Sequence, residues 1–400
     1  SVRTDPTDNQ FVYAGSQDQG FQRSRHFDDP GIQRFDQVIS GDYGHIVFSN
    51  DGQYLWTVYP GGWVSYYQNP QNGGITGDYD LESEDESVWL PPLMASPFPG
   101  DVGAFMAGGN MDGGPGSYLI RLDPSPNGIA ATQIDFDFAA ASGDGELSAM
   151  EASPLDYNRW YAATTNGRFF TSDEAGYTWE QTVNFIPEGH YLYGQTIYAS
   201  TQDIDKVYLG GSGYSNPPVY VSTDGGQNFT DMSEGLPSTL VFEITGTPDE
   251  AYLFAATEAG PYVFITAEER WYYLGGDCSP AQTYWSVEYL PEIHTARFGT
   301  YGRGIWDFEL DPVVANNAAS APIANLAIAP NPVREQFTAT LPKGTWELQL
   351  FNSAGQSMQV WTDVQGTVQC QVSALPNGTY YLLGRSATGE VRKQPVVLQR

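Results

Sequence analysis

The sequence predicts an all-β chain: a body of repeated strand pairs, then a small C-terminal β-sandwich. Three observations carry this. Short apolar or aromatic segments alternate along the chain with turns of Gly, Pro, Asn and Asp, and the 44 Gly and 27 Pro in 400 residues supply those turns. One phrase recurs: residues 160–179 (WYAATTNGRFFTSDEAGYTW), 207–229 (VYLGGSGYSNPPVYVSTDGGQNF) and 252–271 (YLFAATEAGPYVFITAEERW) each read strand, Gly turn, strand. Composition and charge then change across residues 311–325.

The strand segments follow in order at 11–15, 44–49, 54–59, 102–106, 118–122, 160–164, 168–171, 206–210, 219–222, 252–256, 262–266 and 285–289. No helical period of useful length interrupts them. They group into units of roughly 40–60 residues, and self-similarity at such a spacing is the signature of β-propeller blades. About six blades' worth of strands falls before residue 310, which leaves room for part of a larger propeller outside this chain. Residues 311–325 (DPVVANNAASAPIAN) are small, polar and aperiodic, and read as a linker. Residues 326–400 hold short alternating strands that suit an immunoglobulin-like sandwich.

The formal net charge is −31. Residues 326–400 carry six basic and four acidic side chains, so the acidic excess lies entirely in the body. Such a surface repels nucleic acid and anionic lipid, which excludes both as main partners. No apolar run is long enough to span a bilayer, so a transmembrane helix is not expected. Cys278 and Cys370 lie in different units and four His are scattered, which gives no zinc pattern and no expected disulfide.

Two turns sharpen the reading of the body. Ser222, Asp224, Gly226 and Phe229 fit the spacing S-x-D-x-G-x-x-aromatic, and Ser172, Glu174, Gly176 and Trp179 fit it with Glu for Asp. The carboxylate is expected to accept backbone N–H groups across the turn, the Gly to take positive φ, and the aromatic to tuck under the blade edge. These residues read as structural. With AGSQDQG (14–20) and GTYGRGIWDFEL (299–310), they make the body resemble the Asp-box propellers, the sialidase-like, BNR-repeat and sortilin-like group.

The tail resembles the type A C-terminal sorting domains of type IX secretion. The resemblance rests on Pro330, Asn331 and Pro332, on the 352–355 turn, on Asn377, Gly378 and Tyr380, and on Arg392 and Lys393 before an apolar end. It implies passage through the periplasm, recognition by the type IX translocon and sorting machinery, and a final place at the cell surface or outside the cell.

Within the body, Asp18 and Asp42 are the candidate catalytic carboxylates, because propellers that cut glycans use loop carboxylates as acid and base. The alternative is that both serve turns. Trp63, Tyr66 and Tyr67 could offer stacking faces to sugar rings, or could fill space between blades. Asp78, Asp80, Glu82, Glu84, Asp85 and Glu86 form an acidic run that reads as a solvated loop, with Ca²⁺ binding as the alternative and no other cofactor expected. Sialidase chemistry lacks its arginines and its Arg-Ile-Pro phrase, and no G-x-S-x-G supports Ser/His/Asp catalysis. The expected function is a secreted binding or structural protein with glycan or protein as ligand. A secreted glycoside hydrolase and a subunit of a larger extracellular assembly are the alternatives.

Overall fold

The computed structural model describes residues 1–25, 33–49, 52–81, 89–187, 195–276, 279–310, 326–352, 357–386 and 391–399. They belong to two compact units, Ser1–Leu310 and Asp311–Arg400.

Among the described residues the first unit is a β-propeller of seven antiparallel sheets, not six. Blades 1 to 6 have four strands each and span residues 2–39, 46–80, 93–134, 147–181, 196–231 and 241–273; blade 7 has three and spans 284–309. The first strand of each blade is innermost: Val2–Thr4, Ile46–Phe48, Leu93–Ala95, Leu147–Ala152, Thr196–Ala199, Val241–Gly246 and Tyr284–Leu290. Consecutive inner strands touch around the ring, and the last touches the first, so the ring is closed.

The middle strands of each blade pack on both faces against neighbouring blades, so their residues are buried without alternation, as in Ala104–Gly108 and Trp160–Thr164. Six apolar cores result, each shared by two successive blades. Between blades 3 and 4, for example, Phe105 meets Trp160 edge-on at 4.7 Å. The outermost strands of blades 4 and 5, Glu180–Gln181 and Thr230–Asp231, are short and exposed, which suits sheet edges that must not pair with another chain.

The seam between blades 7 and 1 is different: among the described residues no apolar cluster joins these blades, and polar groups hold them. The Val2 N–H donates to Ser286 Oγ at 3.1 Å, and Thr4 donates to Glu288 through N–H (3.0 Å) and hydroxyl (2.5 Å). The buried Arg297 makes a two-pronged pair with Asp307 at 2.8 and 2.7 Å and donates to Thr4 Oγ1 at 2.6 Å.

The two S-x-D/E-x-G turns join the third and fourth strands of blades 4 and 5. In both, the Ser hydroxyl accepts two N–H groups, those of Glu174 and Gly176 or of Asp224 and Gly226. Asp224 reaches back to the backbone of the turn. Its Oδ1 accepts from the Gln227 and Asn228 N–H groups at 3.1 and 2.9 Å, and its Oδ2 from Asn228 Nδ2 at 2.7 Å. Glu174 does not: one methylene longer, it passes the backbone and accepts from the Thr178 hydroxyl at 3.0 Å. Gly176 and Gly226 take φ of 80° and 86°, and a Cβ on either would strike the ring of Trp160 or Phe169 at 2.8 or 2.7 Å. Trp179 is buried and Phe229 half-buried, the latter against Phe169.

Among its described residues the second unit is a sandwich of seven strands. One sheet holds Ala327–Ala329, Gln336–Thr340 and Thr367–Gln371. The other holds Ser357–Val364, Trp346–Asn352, Gly378–Ser386 and Val391–Leu398 in that spatial order. Phe337, Trp346, Leu348, Leu350, Leu382 and Val396 fill the space between them.

Candidate functional site

Every inner strand contributes to a central channel of about 650 Å³. Arg3, His45, Glu151, Glu243 and Glu288 place charge or potential charge on its wall. Arg3, Glu151, Glu243 and Glu288 sit in inner strands whose other side packs against a blade core, so the backbone aims them inward, and His45 immediately precedes the inner strand of blade 2. Glu243 is held at both oxygens, by Arg3 at 2.5 Å and by the Val287 N–H at 2.9 Å. Burial works against the charge of Arg3, but Glu243 at contact distance leaves its pKa raised. About a quarter of each partner still faces the channel (25% and 23%), so channel water screens the pair.

Glu151 has no ion-pair or hydrogen-bond partner for its carboxyl group among the described residues. Its surroundings push its pKa up to about 8, first through burial and then through the Glu243 carboxylate, with Arg3 opposing. It therefore carries a proton at neutral pH. Burial holds His45 down to about 3, so that imidazole is neutral. Burial also raises Glu288, against the pull of Arg3 and its two hydrogen bonds from Thr4.

A second cavity, of about 960 Å³, lies where blades 7 and 1 meet. Trp285 lines both cavities. A β-bulge explains its position. The pairing of the first strand with the second shifts register in blades 4, 6 and 7, which leaves Ser148, Phe242 and Trp285 as the extra residues. Phe242 and Trp285 stack at 4.3 Å with 26° between their planes, and Trp285 meets Tyr301 at 6.5 Å. Tyr301 is 66% exposed. It sits in the turn of GTYGRGIWDFEL, where the Thr300 hydroxyl donates to Gly304 O at 2.7 Å and accepts the Arg303 N–H at 3.0 Å. Half-buried Trp306 and exposed Trp89 add to the aromatic lining, with Gln17, Asp18, Gln22 and Asp42 contributed by blade 1 and the loop after it.

Asp18 and Asp42 are thus brought together in this groove, in unequal roles. Asp42 Oδ1 accepts the Asp18 N–H at 2.6 Å, which makes Asp42 a turn acceptor. Asp18 sits at the hairpin tip with φ 63° and an exposed side chain. The aromatic candidates in blade 2 are mostly core. Tyr66 is buried against Trp56 at 5.1 Å, and Tyr67 against Phe21 at 4.8 Å, so neither offers a free face. Trp63 is half-buried, edge-on to Tyr43 and Tyr59, and donates to Asp78 Oδ2 at 3.3 Å. Glu82, Glu84, Asp85, Glu86, Cys278 and the 311–325 linker lie outside the described residues. No group of three metal-binding side chains occurs among the described residues, and no helix among them is long and apolar enough to cross a membrane.

Sequence reasoning missed Arg3, Glu151, Glu243, Glu288, Trp285, Tyr301 and Trp89. One signal was available. A glutamate recurs inside short apolar strands, in LSAMEA, VFEITG and YWSVEYL, where an unburied sheet face is required.

In the second unit, Asn331 ties the PNP turn to the last strand. Its Nδ2 donates to Pro395 O and its Oδ1 accepts the Val397 N–H, both at 2.9 Å. Pro330 and Pro332 both follow cis peptide bonds. Tyr380 is buried and donates to Pro376 O at 2.9 Å, two residues before Gly378 opens its strand. Arg392 and Lys393 lie on the final edge strand, opposite Gly384 and Leu383. Residues 327–398 match the family described as the secretion system C-terminal sorting domain. The tail is a type IX sorting domain. The sorting domain makes the chain a secreted protein, delivered to the cell surface or the extracellular space, and implies contact with the type IX machinery.

The comparisons for the body give its fold. The extracellular domain of a hybrid two-component system protein from B. thetaiotaomicron is 14% identical with a TM-score of 0.55, over 100% of this chain and 55% of that one. This chain therefore spans about half the length of that relative. The β-propeller domain of Cps50 (Swd1) from Myceliophteria thermophila is 13% identical with a TM-score of 0.56, over 78% of this chain and 95% of that one. No curated protein matches the chain by sequence.

Proposed function

We propose that the propeller is a carbohydrate-binding module carried outside the cell by its sorting domain, with the groove between blades 7 and 1 as its site. The observation that supports this reading most is the lining of that groove. Trp285, Tyr301, Trp306 and Trp89 supply ring faces, while Gln17, Asp18 and Gln22 supply acceptors and donors at its edge. Aromatic faces bury the apolar C–H face of a pyranose, and amide or carboxylate groups take the equatorial hydroxyls. The Ser222–Asp224 turn supports grouping the body with the Asp-box propellers. The test is a glycan array probed with the full chain, followed by titration calorimetry on each hit. Trp285→Ala is expected to weaken every hit at least tenfold without changing the melting temperature by more than a few degrees.

A secreted glycoside hydrolase is the second reading, and Glu151 is the observation that favours it. A protonated carboxyl beside an ionised one is the pairing that acid–base cleavage needs. Reducing-sugar release from a panel of polysaccharides, abolished in Glu151→Gln, would place the chain there.

A further inference from the structure

The hairpin tip of blade 1 is fixed from several sides. Besides the Asp42 contact, Gln37 Nε2 donates to Gln19 O at 2.7 Å, Gln22 Nε2 donates to Ser16 Oγ at 3.2 Å, and Gln19 bridges to Gly41. Gly20 cannot be replaced there, since a Cβ would stand 1.9 Å from Ile39 O. This ordering holds Asp18 in a left-handed conformation, yet its carboxylate has no partner among the described residues. Strain kept at an exposed tip with an unused charged acceptor is a pattern of ligand contacts.

The electrostatics narrow the ligand. Of the other carboxylates lining the groove, Asp42 is engaged with the hairpin and Asp307 with Arg297. Arg303, exposed in the Thr300–Gly304 turn, is the cationic side chain of the rim. Asp18 lines the same groove, and the body that carries it holds the acidic excess of the chain.

We infer that the groove selects a neutral glycan over a carboxylated one, with Asp18 accepting hydrogen bonds from adjacent ring hydroxyls while Trp285 and Tyr301 stack on the ring. The inference rests on the carbohydrate reading and adds the class of sugar. Hydroxyl donors to a carboxylate form strong hydrogen bonds, whereas a uronate brings a second negative charge to the same place.

The experiment is titration of the full chain with cellohexaose, xylohexaose, mannohexaose and hexagalacturonate at low salt. At least one neutral hexaose is expected to bind about tenfold or more tighter than hexagalacturonate. Asp18→Asn, which tolerates the left-handed backbone equally well, is expected to weaken the neutral ligand about tenfold and to close most of that gap. Equal or tighter binding of hexagalacturonate by the parent chain overturns the inference, as does an unchanged neutral-to-acidic ratio in Asp18→Asn. If these failures occur while Trp285→Ala still weakens binding at least tenfold, the carbohydrate reading stands and only the selectivity is lost. Binding that Trp285→Ala weakens less than tenfold overturns the carbohydrate reading of this groove and this inference with it, and no binding to any of the four probes overturns this inference alone.

Discussion

Replacing Glu151 by Gln tests the channel electrostatics directly. In the folded chain the carboxyl holds its proton up to about pH 8, against an ordinary value of 4.5. Between those values the folded state binds a proton that the unfolded state has released, so stability falls as pH rises from 4.5 to 8. A tenfold change in proton affinity is worth about 1.4 kcal/mol, so the full displacement would cost on the order of 3 kcal/mol at pH 7. Part of Glu151 faces channel water, which screens the effect, and about 1–2 kcal/mol is the realistic share. Glutamine keeps the shape and the neutrality of the protonated acid. Glu151→Gln is therefore expected to match the parent near pH 4.5 and to exceed it by about 1–2 kcal/mol at pH 8. The measurement is the propeller's calorimetric transition for both proteins at half-unit steps of pH. Glu288 is raised as well and titrates with the same sign, but it is present in both proteins and cancels in the difference. A constant difference between variant and parent across the range would refute the reasoning, because Glu151 would then ionise like any surface carboxylate.

Three further expectations follow from the fold. Asp224→Ala removes four accepted hydrogen bonds, from the Ser222 hydroxyl, two backbone N–H groups and the Asn228 amide, and should cost about 1–2 kcal/mol by denaturant titration, whereas Glu174→Ala, losing one exposed side-chain contact, should cost under about 0.5; equal effects would mean that the two turns are held alike. Arg297→Met takes the guanidinium away from Asp307 and Thr4 at the seam where the described residues form no apolar cluster, and should cost about 3 kcal/mol, read as a lowered urea midpoint; a loss under about 1 would show that the ring closes without this network. Deleting residues 327–398 should leave the propeller in the periplasm of a host with a working type IX system, and fractionation with immunoblotting shows whether it does; surface delivery of the shortened chain would contradict the role of the sorting domain.

The site was less legible than the fold, for a reason visible in particular strands. Residues 160–164 and 252–256 are continuous apolar runs because blades cover both their faces, and such runs are easily read. The inner strands are not. Leu93–Ala95 has three residues, and Leu147–Ala152 mixes Ser, Ala and Glu because one edge meets the channel. Missing several of these made seven blades look like six. Tyr66 and Trp285 sit in similar aromatic phrases, WVSYYQ and YWSVEYL, yet one is core and the other lines a groove. A bulge makes that difference, and a bulge has no residue signature in this chain.

The sequence by itself determined the all-β class, the alternation of middle strands and turns, the Asp224 turn and the sorting domain. Each of these is set by contacts close along the chain or by a pattern that repeats, so local residue choice suffices. Only the tertiary structure decided the number of blades, the polar seam between residues 2–4 and 286–297, the proton on Glu151 and the meeting of Asp18 with Trp285 and Tyr301. Those depend on residues hundreds of positions apart being brought together by ring closure. Whether a glutamate becomes a surface charge or a protonated wall group depends on what the closed ring places around it, not on its neighbours in the chain.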